Sequence, residues 1–496
     1  MTFFGFMINY IYRVNINIAI VEMVINHKTS NIATNHTSEC IAVPMSINAT
    51  AFNGFGLNES FMELELEREH KMNSVQFDWD AVQQGHVLGS FFWFHWTLQV
   101  VGGIIAPRFG TKLIFGLSNF IPCLLCAFIP MVAQYHVNLL IGLRVLQGFI
   151  CALAWPSMNH ICAQWIPPNE RSRFVTAYLG SSVGIGLFYP FFGWVMSHWS
   201  WEPVFYITTV LGTIWYAAWL YFVYDSPKQH PRIDPMELIY IQHSLGDTIH
   251  KENETVRIPW SAILRSKPVW INIFSHVGGV WCLFTLMAQA PTYFKTILGW
   301  DVQMTGLLSG IPHLFRMIFA FGFSMFADSL LRNKRMSRTN VRKMACIVCN
   351  ILNGVFVVCL AFSGCNSVMA VICITLATAV HGAVSSGPLA GLIDISPNYS
   401  SVLLGLNGLL CVSPGFISPW IVGILTKGNQ TVQQWQYIFL LAAGMLFVTG
   451  IVYVLFSDSS LQSWNQANAK DECENGKKNG EKPSADHPVV AETLKN

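Results

Sequence analysis

The feature that most constrains this chain is the recurrence of apolar stretches of about 20 residues along most of its length. Each is long enough to cross the roughly 30 Å hydrocarbon core of a bilayer as an α-helix. Only 11% of the 496 residues are charged, whereas soluble proteins contain about a quarter. We therefore predict an all-α membrane protein with twelve transmembrane helices, spans 1 to 12, at residues 2–25, 81–106, 112–133, 137–162, 174–197, 202–224, 268–291, 302–327, 342–362, 367–391, 401–425 and 436–456.

Two long polar stretches divide these spans. Residues 26–80 separate spans 1 and 2, and residues 225–267 separate spans 6 and 7. This pattern predicts an N-terminal six-helix bundle at 1–224, a cytosolic linker at 225–267, a C-terminal six-helix bundle at 268–456 and a disordered cytosolic tail at 457–496. Two such bundles with a binding site between them are typical of secondary transporters.

The lysines and arginines orient the spans. With loop 26–80 outside, the cytosolic segments hold 21 of the 29 lysines and arginines, and the outer loops hold five. Positive residues accumulate on the cytosolic side of membrane proteins, so both ends of the chain are predicted to be cytosolic. Loop 26–80 also contains three Asn-x-Ser/Thr sequons, and we predict glycosylation there, at Asn35, Asn48 and Asn58.

Three arginines remain inside predicted spans, namely Arg13, Arg144 and Arg316. An arginine at the membrane centre costs about 2.5–3.5 kcal/mol on insertion scales, unless a partner, cavity or anion offsets that cost. Arg13 lies in mid-span between Asn9 and Asn17 on one helical face, and we predict that this face lines a cavity. The alternatives are hydrogen bonding of the asparagines between helices and snorkelling of the arginines. The position of Arg316 suits a cavity or a snorkel equally.

Other polar residues give weaker signals. Six histidines lie in or near spans, where an imidazole usually has a structural role: His86, His95, His160, His276, His313 and His381. Asn407 in span 11 offers a carbonyl oxygen to Na⁺ and is our candidate for binding a coupling ion. Most of the 13 cysteines lie in apolar runs, where they behave as small hydrophobes. We expect no structural metal, no resident cofactor and no nucleic-acid partner.

Several motifs, taken in order, resemble a known family. Residues 103–112, GIIAPRFGTK, resemble the G-x-L-A-D-R-x-G-R-K signature of the major facilitator superfamily, with Pro107 where Asp is usual. Further segments resemble its anion:cation symporter branch, which contains the type I sodium–phosphate cotransporters, sialin and the vesicular glutamate transporters. They are GSFFW at 89–93, RVLQG at 144–148, WIPPNERSR at 165–173, PTYF at 291–294 and DISPNY at 394–399. In overall character the chain resembles insect members described as inorganic phosphate cotransporters.

This resemblance implies a substrate site. The family's span 1 and span 4 arginines, thought to bind the anion, match Arg13 and Arg144, and a span 7 histidine of sialin-like members matches His276. A guanidinium is always charged and offers paired donors to carboxylate or phosphate. Asn17 completes the predicted substrate-binding set. Cys151 stands where sialin-like members carry a glutamate implicated in proton coupling, so Na⁺ or the membrane potential is favoured over a proton.

We therefore expect a secondary transporter, not an enzyme, that moves inorganic phosphate or a small organic anion by alternating access. The alternatives are a proton-coupled symporter of a sialate-like anion and, from another class, a non-transporting sensor or a channel-like anion conductance. Sialin-type lysosomal sorting uses an acidic dileucine signal in a cytosolic N-terminal tail. Span 1 begins almost at Met1, so the plasma membrane is expected rather than the lysosome. The expected partners are the small anion and the bilayer.

Overall fold

The computed structural model describes residues 1–25, 40, 75–166, 178, 180–251, 258–397, 399–428 and 430–466, and helices occupy all twelve predicted span positions. Within these residues, nine helices are long and apolar enough to cross a membrane, or ten if one bent pair is counted as a span. The predicted all-α membrane fold is confirmed. The helices are Thr2–Met23, Ala81–Gly89 with Thr97–Phe109, Thr111–Cys126 with Ile129–Tyr135, Val137–Cys151 with Ala154–Trp165, Gly180–His198, Glu202–Phe222, Lys267–Thr296, Val302–Arg332, Arg338–Cys346 with Asn353–Ala361, Ser367–Val380 with Pro388–Ile395, Ser400–Cys411 with Pro414–Leu425, and Val432–Phe456.

Several spans are interrupted near their middle. Span 3 bends by 51° between its two helices. Span 9 contains a π-helical turn at Ile347–Leu352, and span 10 contains a 3₁₀ turn at His381–Ser386. Irregular backbone at membrane depth is tolerated only where protein or a cavity surrounds it, and π turns are frequent at functional sites. The 3₁₀ turn of span 10 begins at His381, so this residue lies where the backbone of the span is irregular.

The N-terminal and C-terminal helices each bury an apolar core of their own. Large aromatic side chains dominate both cores because their wide faces fill the space between helices and remove much apolar surface from solvent. The N-terminal core includes Phe6, Phe115, Trp201 and Trp219, and the C-terminal core includes Tyr293, Phe294, Trp435 and Phe439. Each set of helices is therefore packed around its own centre.

Small residues allow the two sets to meet on the predicted outer side. A Cβ atom added to Gly193 of span 5 would lie 2.8 Å from the carbonyl oxygen of Val302 in span 8. A Cβ atom on Gly85 of span 2 would lie 2.5 Å from the carbonyl oxygen of Pro419 in span 11. Glycine is therefore needed at both positions, because any side chain would force the helices apart.

The segment after span 12 departs from the sequence prediction. Residues 457–466 were expected to be disordered, but the backbone amide of Gln462 donates to the carbonyl oxygen of Ile395, and the Ser396 hydroxyl donates to Asn465. Trp464 also packs on Tyr399, which gives this segment an apolar anchor. The expected disorder is wrong for these ten residues. The three predicted glycosylation sites and residues 467–496 lie outside the described residues.

A disulfide joins Cys40 to Cys365, which are 325 residues apart in sequence. Cys40 belongs to loop 26–80, and Cys365 to the loop between spans 9 and 10, both on the predicted outer side. Disulfides persist on oxidising sides of membranes, so this bond supports the predicted orientation. The prediction that cysteines in apolar runs behave as small hydrophobes fits the buried Cys123, Cys282 and Cys346, whereas Cys40 and Cys365 lie outside those runs and their pairing was not predicted.

Replacing Cys40 by serine is expected to make the Cys365 thiol reactive from the outer side of the membrane. A membrane-impermeant maleimide added to intact cells should label Cys40→Ser, but neither the wild type nor the Cys40→Ser/Cys365→Ser double variant. In cells shown by surface biotinylation to carry the protein at their surface, labelling of that surface fraction that requires permeabilisation would contradict the orientation of the chain, because it would place Cys365 on the cytosolic side.

Candidate substrate site

Arg13 lies in the middle of span 1 with only 5% of its surface exposed. Its guanidinium carbon lies 4.8, 5.2 and 5.5 Å from the ring centres of Tyr10, Phe91 and Phe92. These cation–π contacts offset part of the cost of burying the charge. Among the described residues, its one hydrogen-bond acceptor is the Cys151 sulfur, 3.6 Å from Nη2, and Nε has no partner. Arg13 therefore keeps donors free for an anion.

Arg144 is almost fully buried and binds span 1 directly. Nη2 donates to the carbonyl oxygen of Arg13 at 2.9 Å, and Nη1 donates to the carbonyl oxygen of Tyr12 at 3.2 Å and to Gln147 Oε1 at 3.0 Å. The guanidinium also lies 5.0 Å from the ring centre of Phe91. Arg144 thus holds span 4 against span 1 at the position of Arg13. Both arginine heads lie inside the protein, and neither snorkels.

Cys151 accepts hydrogen bonds from span 1 where the family pattern has a carboxylate. The Tyr12 hydroxyl lies 3.0 Å from its sulfur, and the Asn9 amide nitrogen lies 3.3 Å away. Asn9 also donates to Asn119 Oδ1 at 2.7 Å, so it bonds between helices, as the alternative interpretation of the asparagines proposed. A thiol is neutral when protonated, so it brings no negative charge to the two arginines.

Asn17 lies on the outer side of Arg13, at a point where the two sets of helices are joined. Its amide nitrogen donates to the Tyr189 hydroxyl at 3.2 Å, and that hydroxyl donates to the carbonyl oxygen of Met287 in span 7 at 2.9 Å. Further out, Lys295 Nζ lies 2.9 Å from Glu22 Oε1. In contrast, Tyr10, on the inner side of Arg13, is partly exposed. This conformation is therefore closed on the outer side.

The Glu22–Lys295 pair gives a test of that closure. Lys295→Glu is expected to place two carboxylates together and favour opening, by a factor of about five for a partly exposed pair worth about 1 kcal/mol. The reporter is Gln289→Cys, since Gln289 is 4% exposed and lies in span 7. Its labelling by an impermeant maleimide should rise with Lys295→Glu and fall again when Glu22→Lys is added. Unchanged labelling in the single variant would exclude a role of the pair in closure.

His276 and Asn407 contact each other in the C-terminal helices. His276 Nδ1 lies 3.0 Å from Asn407 Oδ1 and 3.1 Å from the Cys411 sulfur. An amide oxygen can only accept, so Nδ1 carries the proton in this arrangement. The carbonyl oxygen predicted to bind Na⁺ is therefore engaged by His276, and the contact joins span 7 to span 11.

Arg316, whose role was left open by its position in the sequence, lies at the boundary between the two sets. Its Nη1 donates to the Ser182 hydroxyl in span 5 at 3.4 Å. In span 1, Tyr10 packs against Arg13. The structure thus brings Arg13 together with Arg144, and His276 with Asn407. Tyr10 precedes Arg13 by three residues, which places both on one helical face. This spacing was the signal in the sequence for the contact between them.

The model of the family named Major Facilitator Superfamily matches residues 2–419. The chain belongs to the major facilitator superfamily. It is 32% identical to the sialins of Ovis aries and Homo sapiens over 94% of this chain and 89% of theirs, and 31% identical to vesicular glutamate transporter 3 of Danio rerio over 94% of this chain and 74% of that one. These relatives place this superfamily member in the anion:cation symporter branch, as the motifs predicted.

Solved structures of superfamily members show the same fold. A D-xylose–proton symporter aligns with a TM-score of 0.58 at 14% identity, covering 90% of this chain and 95% of that one. A bacterial homologue of the human lysosomal transporter Spinster, inward-facing and occupied, aligns with a TM-score of 0.61 at 12% identity, covering 92% and 95%. At these identities the likeness concerns the fold alone. The sequence relatives are named as transporters, and the chain is a multi-pass membrane protein of their family.

Proposed function

We propose that this protein transports inorganic phosphate or a small organic anion by alternating access, with Na⁺ or the membrane potential as the driving force. Arg13 contacts the anion in this proposal, and Arg144 positions Arg13 by holding the backbone of span 1. Asn17 belongs to the outer closure that binding and release must open. In the C-terminal helices, His276 binds the substrate and Asn407 binds the coupling ion. Both sets of helices therefore contribute to the transport site.

One observation carries the proposal: three buried or partly buried arginines lie at mid-membrane with no carboxylate beside them in the described part of the chain. Among the described residues, the carboxylates of the spans lie near their ends, at Glu22, Glu202, Asp328 and Asp394. Glu22 is paired with Lys295, and Asp394 with Arg342 at 2.7 Å. A buried charge without a counter-ion is costly, and a bound anion removes that cost at Arg13. This requirement favours an anionic substrate over a neutral or cationic one.

A proton-coupled symporter of a sialate-like anion is the second candidate. The identity to the sialins over most of the chain favours it, and so does His276, since an imidazole titrates near pH 6.5 when unperturbed. Cys151 argues against it, because the carboxylate that resembling members carry at this position is missing. Phosphate and sialate also differ in size, so a substrate comparison separates the two candidates together with the coupling ion.

The deciding experiment is uptake into proteoliposomes under imposed gradients at clamped voltage. Phosphate, sialate and glutamate are offered with an inward Na⁺ gradient, an inward proton gradient, or neither, and with His276→Ala beside the wild type. We expect saturable uptake that follows Na⁺ or the applied voltage. Uptake of sialate driven by protons alone, in Na⁺-free medium, would contradict the proposed coupling. Loss of that proton-driven uptake in His276→Ala would assign the proton to His276.

Residence at the plasma membrane also belongs to the proposal. The Cys40–Cys365 disulfide requires only that the outer loops face an oxidising compartment. Imaging of the full-length protein against surface and lysosomal markers provides the test. Co-localisation with the lysosomal marker would contradict residence at the plasma membrane and would leave the proposal of anion transport unchanged.

A further inference from the structure

Span 8 carries a face of polar side chains whose hydrogen-bonding atoms lack partners. Thr305, Ser309, His313 and Arg316 are spaced by four, four and three residues, which places them on one side of the helix. Thr305 Oγ1, Ser309 Oγ, His313 Nδ1 and Arg316 Nε have no hydrogen-bond partner among the described residues. Thr305, Ser309 and His313 are at most 4% exposed. Buried polar groups are nearly always satisfied, so this row requires an explanation.

A second helix brings another unsatisfied group to the same place. His381, in the 3₁₀ turn of span 10, is 2% exposed; its ring nitrogen Nε2 lies beside the backbone of Gly279 in span 7, and Nδ1 has no partner in the described protein. Gly382 lets this turn pack closely on span 8, since an added Cβ atom would lie 2.7 Å from the carbonyl oxygen of Arg316. The irregular turn thus presents His381 beside Arg316, where a regular helix with a larger residue would not fit.

The electrostatic surroundings of these groups are positive. Arg316 follows His313 by three residues on the same helix, and the turn that carries His381 packs on the backbone of Arg316. The carboxylates of the C-terminal spans do not reach this cluster among the described residues. Asp301 caps the outer end of span 8, and Asp394 is engaged by Arg342 at the cytosolic end. A group that satisfies the free donors and balances the charge must therefore be an anion from solution.

We propose that Arg316, His313 and His381 form a second anion-binding site, which takes the second acidic group of a substrate whose first acidic group binds Arg13. This rests on the proposed anion transport and narrows its substrate to small organic dianions, such as dicarboxylates or phosphorylated acids. Arg316 in span 8 reaches Ser182 of span 5, and the neighbouring Gly180 and Gly184 pack on the backbone of span 1, the helix that carries Arg13. A molecule with acidic groups at both ends bridges the two sets of helices, whereas a small monoanion reaches one site only.

Such bridging also gives binding a mechanical consequence. Arg13 belongs to the N-terminal set and Arg316 to the C-terminal set, and Arg316 already reaches the Ser182 hydroxyl across the boundary. A ligand held at both ends favours the conformation in which the two sites are closest, because only that state makes both charge-assisted contacts. Dianions are therefore favoured for translocation as well as for binding.

The test compares succinate with its monomethyl ester, which keeps nearly the same length but has one acidic group fewer. Binding to purified full-length protein is measured by the ligand-dependent rise in melting temperature. We expect the wild type to bind succinate at least about tenfold more tightly, which is the effect of one charge-assisted hydrogen bond. Arg316→Gln should abolish this preference and leave the affinity for the ester unchanged. Arg332→Gln, at the exposed cytosolic end of the same helix, is the matched control and should bind as the wild type does.

Arg316→Lys is measured as well, in case the glutamine variant misfolds. It keeps the positive charge and should retain part of the preference for succinate. The second site is rejected if the wild type does not prefer succinate, or if Arg316→Gln weakens both probes equally. It is also rejected if Arg316→Gln changes neither. Selective succinate binding that depends on Arg316, without accumulation of any anion in proteoliposomes, would instead retain the second site and refute the transport proposal.

Discussion

Replacing Arg13 by lysine is expected to lower anion uptake about a hundredfold while the protein still reaches the membrane. The substitution keeps the charge but loses the planar pair of donors and the stacking on Tyr10, Phe91 and Phe92. Loss of one of two charge-assisted hydrogen bonds costs about 1.5–3 kcal/mol, and loss of the guanidinium stacking about 1 kcal/mol more, which together correspond to this factor. Initial rates of uptake, divided by the amount of protein in the membrane, provide the measurement.

The matched control for Arg13→Lys is Arg232→Lys. Arg232 is exposed in the segment after span 6, where its guanidinium also packs on an aromatic ring, that of Tyr221 at 5.2 Å. The same chemical change there should leave uptake at the wild-type level. Uptake by Arg13→Lys within about twofold of the wild type would show that a point charge suffices, contrary to the two-donor contact expected of a guanidinium.

Replacing Gly148 by valine is expected to reduce folded protein in the membrane to about a tenth or less of the wild-type amount. A Cβ atom at this position would overlap the carbonyl oxygen of Phe91, which is backbone and cannot rotate away. The carbonyl oxygen of Gly148 is also bound by His95 Nδ1 at 2.8 Å. Overpacking of this kind costs about 3 kcal/mol or more, and losses of that size lower abundance in cells. Fluorescence-detected gel filtration of the tagged protein measures the folded amount.

Gly142→Val is the control for this substitution. Gly142 lies in the same helix, Val137–Cys151, and a Cβ atom there would meet nothing within 4 Å. The intrinsic change in helix propensity is the same at both positions, so the difference between the two variants isolates the contact with span 2. Equal amounts of folded protein in the two variants would contradict close packing of spans 2 and 4 at Phe91.

The architecture was predictable because the bilayer imposes a strong pattern on sequence. Apolar length located the spans, and the cost of a buried charge was enough to single out Arg13 and Arg144. The hydrogen-bond acceptors of these guanidinium groups were not predictable. Arg144 donates to two carbonyl oxygens of span 1, and a backbone acceptor leaves no trace in sequence.

Other features depended on distance in space that the sequence does not encode. Cys40 and Cys365 form a disulfide across most of the chain, yet each stands in an ordinary polar loop. His313, Arg316 and His381 were visible one by one as polar residues in apolar spans. Their convergence required knowing that Gly382 packs span 10 onto span 8 and that a 3₁₀ turn presents His381 there.

The contact of Arg144 with span 1 also bears on how the protein is made. Among the described residues, span 1 is the least apolar of the nine helices that are long and apolar enough to cross the membrane, and it carries one arginine and three asparagines. The residue that engages its backbone at Arg13 lies 131 positions later in the chain. During synthesis, span 1 therefore enters the bilayer before the residue that secures it exists. We therefore expect its stable placement to be completed only when span 4 has left the ribosome and the translocon.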